Sequence, residues 1–333
     1  MMDRCVPEIR IDPLTGLRAI IAPDRSGRTC QLAVTAPDPI DPGEDPLAAG
    51  HEDRTPPELY AVRPQGGEPD GPGWTVRVVP SPAAALVPAG AGEPDVQQDA
   101  HPEWFAARSA RGSHELIVNS PESVVSLSEL RAEQVAAAVE VWRERMRAHE
   151  RAAYVHVWVD ERPQAGATAA HTHAQLLATD FVPAIVARER ERFGAYAVRT
   201  MGGNLLEDLI HEEVRRRARI VAIDDEAVLS CPYASRMPYQ LMLTPRRRRE
   251  RFADEGPSGA ALLHDGLSRL ARRFGAPPPL SLWVRTAPRD AERFCWRIEI
   301  VPRLTVLGGL ELGTGVDRNI VAPEEAAAQL RDA

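Results

Sequence analysis

Two histidines and a glutamine stand at alternate positions near the middle of the chain, in the segment His-Thr-His-Ala-Gln at residues 171–175. Successive side chains of a β-strand point to opposite faces. If this segment is a strand, His171, His173 and Gln175 share one face. An imidazole can attack phosphorus, a second imidazole can orient it, and an amide N–H can bind a phosphoryl oxygen. The spacing therefore indicates a candidate site for group transfer.

Two other interpretations of these residues stay open. Imidazole is the commonest metal ligand, so a His-x-His pair can be half of a metal site. Two histidines at the end of a strand can also be packed and hydrogen-bonded without any chemistry.

The composition excludes several classes of protein. The chain has 333 residues, 44% hydrophobic and 26% charged, enough for a large core or two domains. Its net charge of −8 argues against a nucleic-acid partner, which a basic surface would favour. No apolar run approaches the roughly 20 residues of a membrane span, and the first residues lack the apolar core of a signal peptide. We therefore expect a cytoplasmic protein with no membrane partner.

The basic residues narrow the chemistry further. The sequence contains no lysine, so Schiff-base catalysis and a phosphate-binding lysine of the Walker type are excluded. A bound phosphate would have to be held by arginine, histidine or backbone N–H groups. The four cysteines are widely scattered, which is typical of neither a disulfide framework nor a zinc site.

Hydrophobic patterning predicts an α+β fold. Short strands are predicted within residues 9–35, and the other predicted strands lie at 75–80, 114–120, 153–159, 171–175, 219–225, 227–233, 240–245, 280–286 and 296–302. The spacing of Ser126 and Glu129 is that of a capping box, which predicts a helix running to about residue 150. Further helices are predicted over 184–217, 257–274 and 323–332.

Five segments, in this order, resemble the galactose-1-phosphate uridylyltransferase family of the histidine-triad superfamily. AGATAAHTHAQ is similar to the family pattern Gly-x-Ser-x-Pro-His-Pro-His-x-Gln. The other four segments are RIDPLTGLRAIIAPDRSGR, GHEDRTPPEL, RIVAIDDEAVLSCPYASRMPYQLMLTPRRR and WRIEIVPRLTVLGGLELGTGVDRNIVAPEEAAAQLR, so that the resemblance covers essentially the whole chain.

The resemblance implies a double displacement with nucleotide sugars as substrates. In the family, a histidine attacks the α-phosphorus of a UDP-sugar and expels a sugar 1-phosphate; a second sugar 1-phosphate then takes the nucleotidyl group. The pattern places the nucleophile at His173, a ligand for a phosphoryl oxygen at Gln175, and a neighbouring group at His171. The remaining substrate-binding positions that it implies are Arg25, Arg28, Ser81, Asp160, Gly166, Thr168 and Glu311.

The sequence departs from the family at both metal sites. The zinc-binding cysteines of relatives are replaced by Asp45 and Ala48, and the Ser-Pro-x-His histidine by Ser123; only His171 remains. At a second site, three histidines are replaced by Arg285, Arg297 and Glu299, with Glu189 retained. One imidazole does not make a tetrahedral zinc site, so we predict no metal and no other cofactor, although His51 or His114 could substitute as ligands. Arg297 and Glu299 could form an ion pair instead.

We therefore expect two histidine-triad-like halves, each an antiparallel sheet flanked by helices. Residues 1–190 would carry the catalytic histidines, and residues 191–333 would shape the sugar pocket. The expected activity is nucleotidyl transfer, with uridylyl as the group that the resemblance implies, between a nucleotide sugar and a sugar 1-phosphate. Two alternatives stay open: a nucleotide-sugar phosphorylase, and a non-catalytic nucleotide-binding protein. A homodimer is plausible, because relatives often form one.

Overall fold

The computed structural model describes residues 6–23, 32–88, 101, 104–254, 256 and 258–333. The predicted phosphate ligands Arg25 and Arg28 lie outside the described residues. Within them, no helix is both long and apolar enough to cross a bilayer.

The described chain forms thirteen strands and six α-helices. The strands are β1 (Glu8–Ile11), β2 (Arg18–Ile21), β3 (Tyr60–Val62), β4 (Val76–Pro80), β5 (Gly112–Val118), β6 (Tyr154–Glu161), β7 (His173–Thr179), β8 (Ile220–Ile223), β9 (Ala227–Ser230), β10 (Leu241–Pro245), β11 (Leu280–Arg285), β12 (Arg297–Pro302) and β13 (Asp317–Asn319). The helices are α1 (Ala132–Ala148), α2 (Ala184–Arg199), α3 (Leu205–Arg216), α4 (Ala260–Phe274), α5 (Gly309–Thr314) and α6 (Pro323–Arg331).

Ten strands form one antiparallel sheet in the order β3-β4-β5-β7-β6-β11-β12-β10-β9-β8. Counted inward from each outer edge, both halves follow the same order: first, second, third, fifth and fourth strand. Each half also places one helix, α1 or α4, between its third and fourth strands. The expected α+β architecture of two antiparallel halves is confirmed.

The two halves join edge to edge through β6 and β11, where Trp158 lies directly opposite Trp283. The sheet is therefore continuous from β3 to β8. The expected boundary at residue 190 falls inside α2, and the division into two units there stays a prediction. A smaller sheet contains β1, β2 and β13 in the order β1-β2-β13.

Strand alternation separates the core from the candidate site. Ala174, Leu176 and Ala178 of β7 are buried in the main hydrophobic cluster, together with Trp142 of α1 and Leu263 of α4. The alternate residues of β7 must point to the opposite face of the sheet. His173 and Gln175 thus lie on the face of the sheet opposite to the one on which α1 and α4 pack.

Two helix predictions differ from the structure. The capping box of Ser126 and Glu129 closes a short 3-10 turn, and α1 begins only at Ala132. The predicted helix over 184–217 is two helices, because Met201 and Gly202 adopt positive φ angles of 56° and 114° and interrupt it. Asn204 then caps α3 by accepting hydrogen bonds from two backbone N–H groups.

One buried carboxyl group makes the stability of this fold depend on pH. Glu161, the last residue of β6, is 1% exposed, and its Oε1 accepts a hydrogen bond of 2.6 Å from the Leu127 N–H. Its other oxygen has no partner. Burial raises the pKa of Glu161 to about 7, although the hydrogen bonds from Ser126 and Leu127 oppose the rise.

We predict that Glu161→Gln removes a loss of stability that develops as the pH rises from about 4.5 to about 7. Because the folded-state pKa lies above the unfolded value of 4.5, the contribution of Glu161 is present below pH 4.5 and is lost as the pH rises through about 7. Relative to the glutamine variant, the wild type should lose about 2 kcal/mol of unfolding free energy between pH 5 and 8. Urea unfolding at both pH values checks this. Glu133→Gln, at an exposed glutamate of α1, is the control; an equal pH response of wild type and Glu161→Gln would contradict the prediction.

Candidate active site

His173 begins β7 and is 2% exposed. Its Nδ1 lies 2.7 Å from the backbone oxygen of His171. A carbonyl oxygen only accepts hydrogen bonds, so Nδ1 donates and carries the proton. In a neutral ring the lone pair is then on Nε2, to which no other described residue is hydrogen-bonded. The structure therefore presents His173 with a free nucleophilic nitrogen.

The surroundings keep the His173 ring neutral. Burial lowers its pKa below the ordinary value of 6.5, and the charge on His171 acts in the same direction. The hydrogen bond to the His171 carbonyl and the nearby Asp160 carboxylate oppose the shift. A neutral imidazole at neutral pH is the form that can attack an electrophile.

His171 is held on both sides by hydrogen-bond acceptors. Its Nδ1 lies 2.7 Å from Oδ2 of Asp45, and its Nε2 lies 2.9 Å from the backbone oxygen of Ser120. Because both partners are acceptors, both ring nitrogens donate, and the ring is bound as an imidazolium. Burial opposes ionisation of Asp45, but hydrogen bonds from His171 and Ser123 lower its pKa to about 2. This buried ion pair fixes the backbone to which His173 is bonded.

Residues at the positions of the zinc ligands of relatives contact one another here. Ser123 Oγ donates to Asp45 Oδ2 at 2.7 Å, the same oxygen that faces His171. Ala48 has no ligating atom, and His51 directs Nδ1 to the backbone oxygen of Asp45 at 2.7 Å. Both nitrogens of His171 are already hydrogen-bonded. This donor set does not fit a zinc ion, and no cluster of three or more His, Cys, Asp or Glu side chains suited to a metal occurs in the described ranges.

The second half of the sheet has different residues at the positions that correspond to His173 and Gln175 of the first half. Gln175 lies opposite Trp158, and Glu299 lies opposite Trp283. Because Trp158 and Trp283 face each other across the junction of the halves, Glu299 corresponds to Gln175 by position. Two residues earlier on each strand, Arg297 corresponds to His173.

Arg297 and Glu299 form the ion pair that the sequence suggested. Arg297 Nη2 lies 2.8 Å from Glu299 Oε1 and 3.1 Å from Glu189 Oε2. Arg285 approaches Glu189 Oε1 at 3.4 Å. Two guanidinium groups thus flank the buried Glu189, and charge pairs occupy the positions at which the resemblance placed the second metal site of relatives.

Gln175 contacts a residue whose role the sequence did not reveal. Its Oε1 lies 3.0 Å from Nε2 of His114, on the neighbouring strand β5. The sequence offered His114 only as a substitute metal ligand, and the structure places it at this amide instead. The contact follows from the antiparallel pairing of β5 with β7, which no local sequence signal indicates.

The other predicted substrate ligands within the described residues lie on several different elements of the fold. Asp160 lies on β6, beside the turn that contains Gly166, whose φ is 104°. Ser81 follows β4 and donates its N–H to the His114 oxygen at 2.9 Å. Thr168 is exposed in the loop before β7. Glu311 accepts a hydrogen bond of 2.8 Å from the Gly308 N–H at the start of its own helix. The binding roles of these residues stay predictions.

A separate cavity of about 600 Å³ lies at the opposite end of β6 from Asp160. Its lining includes Met146, His149, Arg151, Tyr154, Arg251 and Thr286. None of the predicted catalytic residues contributes to it, so it is not the space beside His173.

Known proteins with similar sequences point to one family. A model of the N-terminal domain of galactose-1-phosphate uridyl transferase matches residues 86–183, which include His171, His173 and Gln175. An ADP-glucose phosphorylase of Arabidopsis thaliana is 26% identical over 98% of this chain and 93% of its own. A galactose-1-phosphate uridylyltransferase of Cryptococcus neoformans is 26% identical over 97% of this chain and 89% of its own.

The chain is similar to proteins of the galactose-1-phosphate uridylyltransferase family, and the stretch that matches the family model contains its candidate histidines. Solved structures support the fold of this family. The Arabidopsis thaliana ADP-glucose phosphorylase with bound ADP-glucose superposes with a TM-score of 0.79 at 23% identity, covering 98% of this chain and 99% of that one. A uridylyltransferase superposes with a TM-score of 0.74 at 21% identity, over 98% of each chain.

The lowered pKa of His173 predicts a pH profile. Attack requires the neutral ring, so the single-turnover rate of nucleotide transfer should fall on the acid side with a midpoint below 6.5. Asp160→Asn should move this midpoint to lower pH, because the carboxylate raises the pKa of His173. Rapid-quench rates at subsaturating nucleotide sugar between pH 5 and 8 report the free enzyme and measure both effects. A wild-type midpoint at or above 6.5 would contradict the prediction.

Proposed function

We propose that this protein transfers a nucleotidyl group from a nucleotide sugar to an acceptor phosphate through a covalent intermediate on His173. One observation carries the proposal. The buried ring of His173 is neutral, its Nδ1 proton is bonded to the His171 oxygen, and Nε2 is left free. That is the state in which an imidazole is a nucleophile towards phosphorus.

The first step forms a bond between Nε2 of His173 and the α-phosphorus of the nucleotide sugar. The bond from that phosphorus to the bridging oxygen breaks, and the oxygen leaves with the β-phosphate as sugar 1-phosphate. Positive charge develops on the ring and is stabilised by the His171 oxygen that accepts the Nδ1–H. The Gln175 amide would donate hydrogen bonds to the negatively charged phosphoryl oxygens.

In the second step an oxygen of the acceptor phosphate attacks the same phosphorus, and the bond to Nε2 breaks. The neutral ring is regenerated without loss of its Nδ1 proton. If the acceptor is another sugar 1-phosphate, the reaction exchanges the two sugars and the enzyme is a uridylyltransferase-like transferase. If the acceptor is inorganic phosphate, the enzyme is a nucleotide-sugar phosphorylase.

The phosphorylase is a second candidate because of one comparison. The relative that matches over 98% of this chain is named for phosphorolysis of ADP-glucose. The same histidine would serve both activities, so the nucleobase and the acceptor are separate questions. A non-catalytic role is disfavoured because His171, Asp45 and Ser120 still hold the backbone that orients His173.

We predict a nucleotide adduct on the wild type and none on His173→Ala. Intact-protein mass spectrometry after incubation with UDP-glucose, UDP-galactose or ADP-glucose should show a mass gain of one nucleoside monophosphate with the correct donor. The identity of that donor names the base. His149→Ala, at a histidine that lines the separate cavity, is the control and should still form the adduct. No adduct with any donor, from folded wild-type protein, would contradict the covalent mechanism.

The same adduct separates the two activities. Washed nucleotidyl-enzyme is mixed in turn with inorganic phosphate, glucose 1-phosphate and galactose 1-phosphate. Discharge by phosphate alone supports the phosphorylase, whereas discharge by a sugar 1-phosphate alone supports the transferase.

We further propose that the reaction proceeds without zinc. The Asp45–His171 ion pair and Ser123 occupy the positions expected for its ligands. Dialysis against a chelator should therefore leave the melting temperature and the adduct yield unchanged, and elemental analysis should find less than about 0.1 zinc per chain. A stoichiometric metal that is lost together with activity would overturn this proposal. A cytoplasmic location and a homodimer stay predictions.

A further inference from the structure

We infer that His114 is a positioning residue that sets which end of the Gln175 amide faces the reacting phosphoryl group. The inference rests on the proposed function, in which Gln175 contacts that group. Its physical basis is a chain of two hydrogen bonds, from the Ala85 N–H to the His114 ring and from the ring to Gln175.

The first hydrogen bond fixes the tautomer of His114. The backbone N–H of Ala85 lies 3.0 Å from Nδ1. A backbone N–H only donates, so Nδ1 must hold a lone pair. A neutral imidazole has one protonated nitrogen, and for His114 that nitrogen is Nε2.

The second hydrogen bond fixes the amide. The protonated Nε2 is 3.0 Å from the Gln175 side chain and can donate only to an oxygen, so the atom facing it is Oε1. The NH₂ group is then directed away from His114, and no other described residue is hydrogen-bonded to it. Two N–H donors are left for a phosphoryl oxygen.

The opposite orientation would work against the reaction. A flipped amide would present its oxygen to the negatively charged phosphoryl group and its NH₂ to the His114 N–H. Both contacts would be repulsive. Preorganised donors lower a barrier because they need not reorient as charge develops. The His114 N–H performs this selection before the substrate binds.

The ring of His114 is itself held from several sides. It stacks on Trp158 with ring centroids 5.9 Å apart and an interplanar angle of 28°. Trp158 lies directly opposite Gln175 in the β6–β7 pair. The loop after β4 clamps His114 at both ends, since Ser81 donates to its backbone oxygen and Ala85 to its ring.

Two substitutions of His114 test whether it acts through its N–H donor. His114→Phe keeps a flat ring beside Trp158 but removes the donor, whereas His114→Gln retains an N–H donor and an acceptor oxygen. The single-turnover rate of adduct formation from the donor identified above should fall about tenfold in His114→Phe and recover to within about threefold in His114→Gln. The dissociation constant of the donor, measured by calorimetry with non-reacting His173→Ala backgrounds, should change less than about threefold in either.

A double-mutant cycle distinguishes an effect of His114 through Gln175 from a general disturbance of the site. In a Gln175→Ala background the amide is gone, so adding His114→Phe should lower the rate no further. A full tenfold additional loss would show that His114 acts on something other than Gln175 and would overturn the inference. Equal rates for wild type and His114→Phe would overturn it as well.

A second measurement does not depend on activity. Histidine labelled with ¹⁵N gives distinct chemical shifts for protonated and unprotonated ring nitrogens, and the signal lost in His114→Gln identifies His114 among the nine histidines. The inference predicts a protonated Nε2 and an unprotonated Nδ1 at pH 7.5. A protonated Nδ1 would overturn it even in an active enzyme. Absence of any adduct in the wild type would instead overturn the proposed function, and with it a catalytic role for Gln175.

Discussion

The hydrogen bond from the His173 ring to the His171 oxygen is the interaction on which the proposed chemistry depends. It decides which nitrogen of His173 carries the proton and therefore which one can attack. That oxygen belongs to a residue whose own ring is fixed by Asp45 and Ser120, from segments 126 and 51 positions away in sequence. Removing one partner of such a buried pair typically costs about 3–5 kcal/mol. The nucleophile is therefore oriented by contacts that do not touch the substrate.

The two halves of the sheet use one architecture for different purposes. In the first half, the inner strand β7 presents a neutral histidine and an amide, both able to act on a phosphoryl group. In the second half, Arg297 and Glu299 occupy the corresponding positions and pair with each other and with Glu189. A paired, buried guanidinium has no lone pair with which to attack phosphorus. Of these two corresponding strand positions, only the one in the first half therefore carries a side chain that could attack phosphorus.

Much of this site could be predicted from the sequence, because it depends on local rules. Period-two alternation placed His173 and Gln175 on one face, and apolar runs located the strands that carry and flank them, whereas His171 lies just before β7 and outside the strand to which the pattern assigned it. Contacts between distant segments could not be predicted in this way. The Asp45–His171 pair and the His114–Gln175 contact depend on strand register and loop path, which have no local signature. The edge-to-edge pairing of β6 with β11 likewise follows from the fold of both halves together. The start of α1 was misplaced because the capping box of Ser126 closes a separate turn.

The most direct test of the account is the position of the nucleotide on the histidine ring. Nucleotidyl-enzyme prepared with ¹⁵N-histidine, then digested under alkaline conditions, yields a peptide containing residues 171–175 in which ¹⁵N–³¹P coupling identifies the bonded nitrogen. The account predicts a phosphorus–nitrogen bond to Nε2 of His173, because Nδ1 is committed to the His171 oxygen. A bond to Nδ1, or to His171, would contradict it.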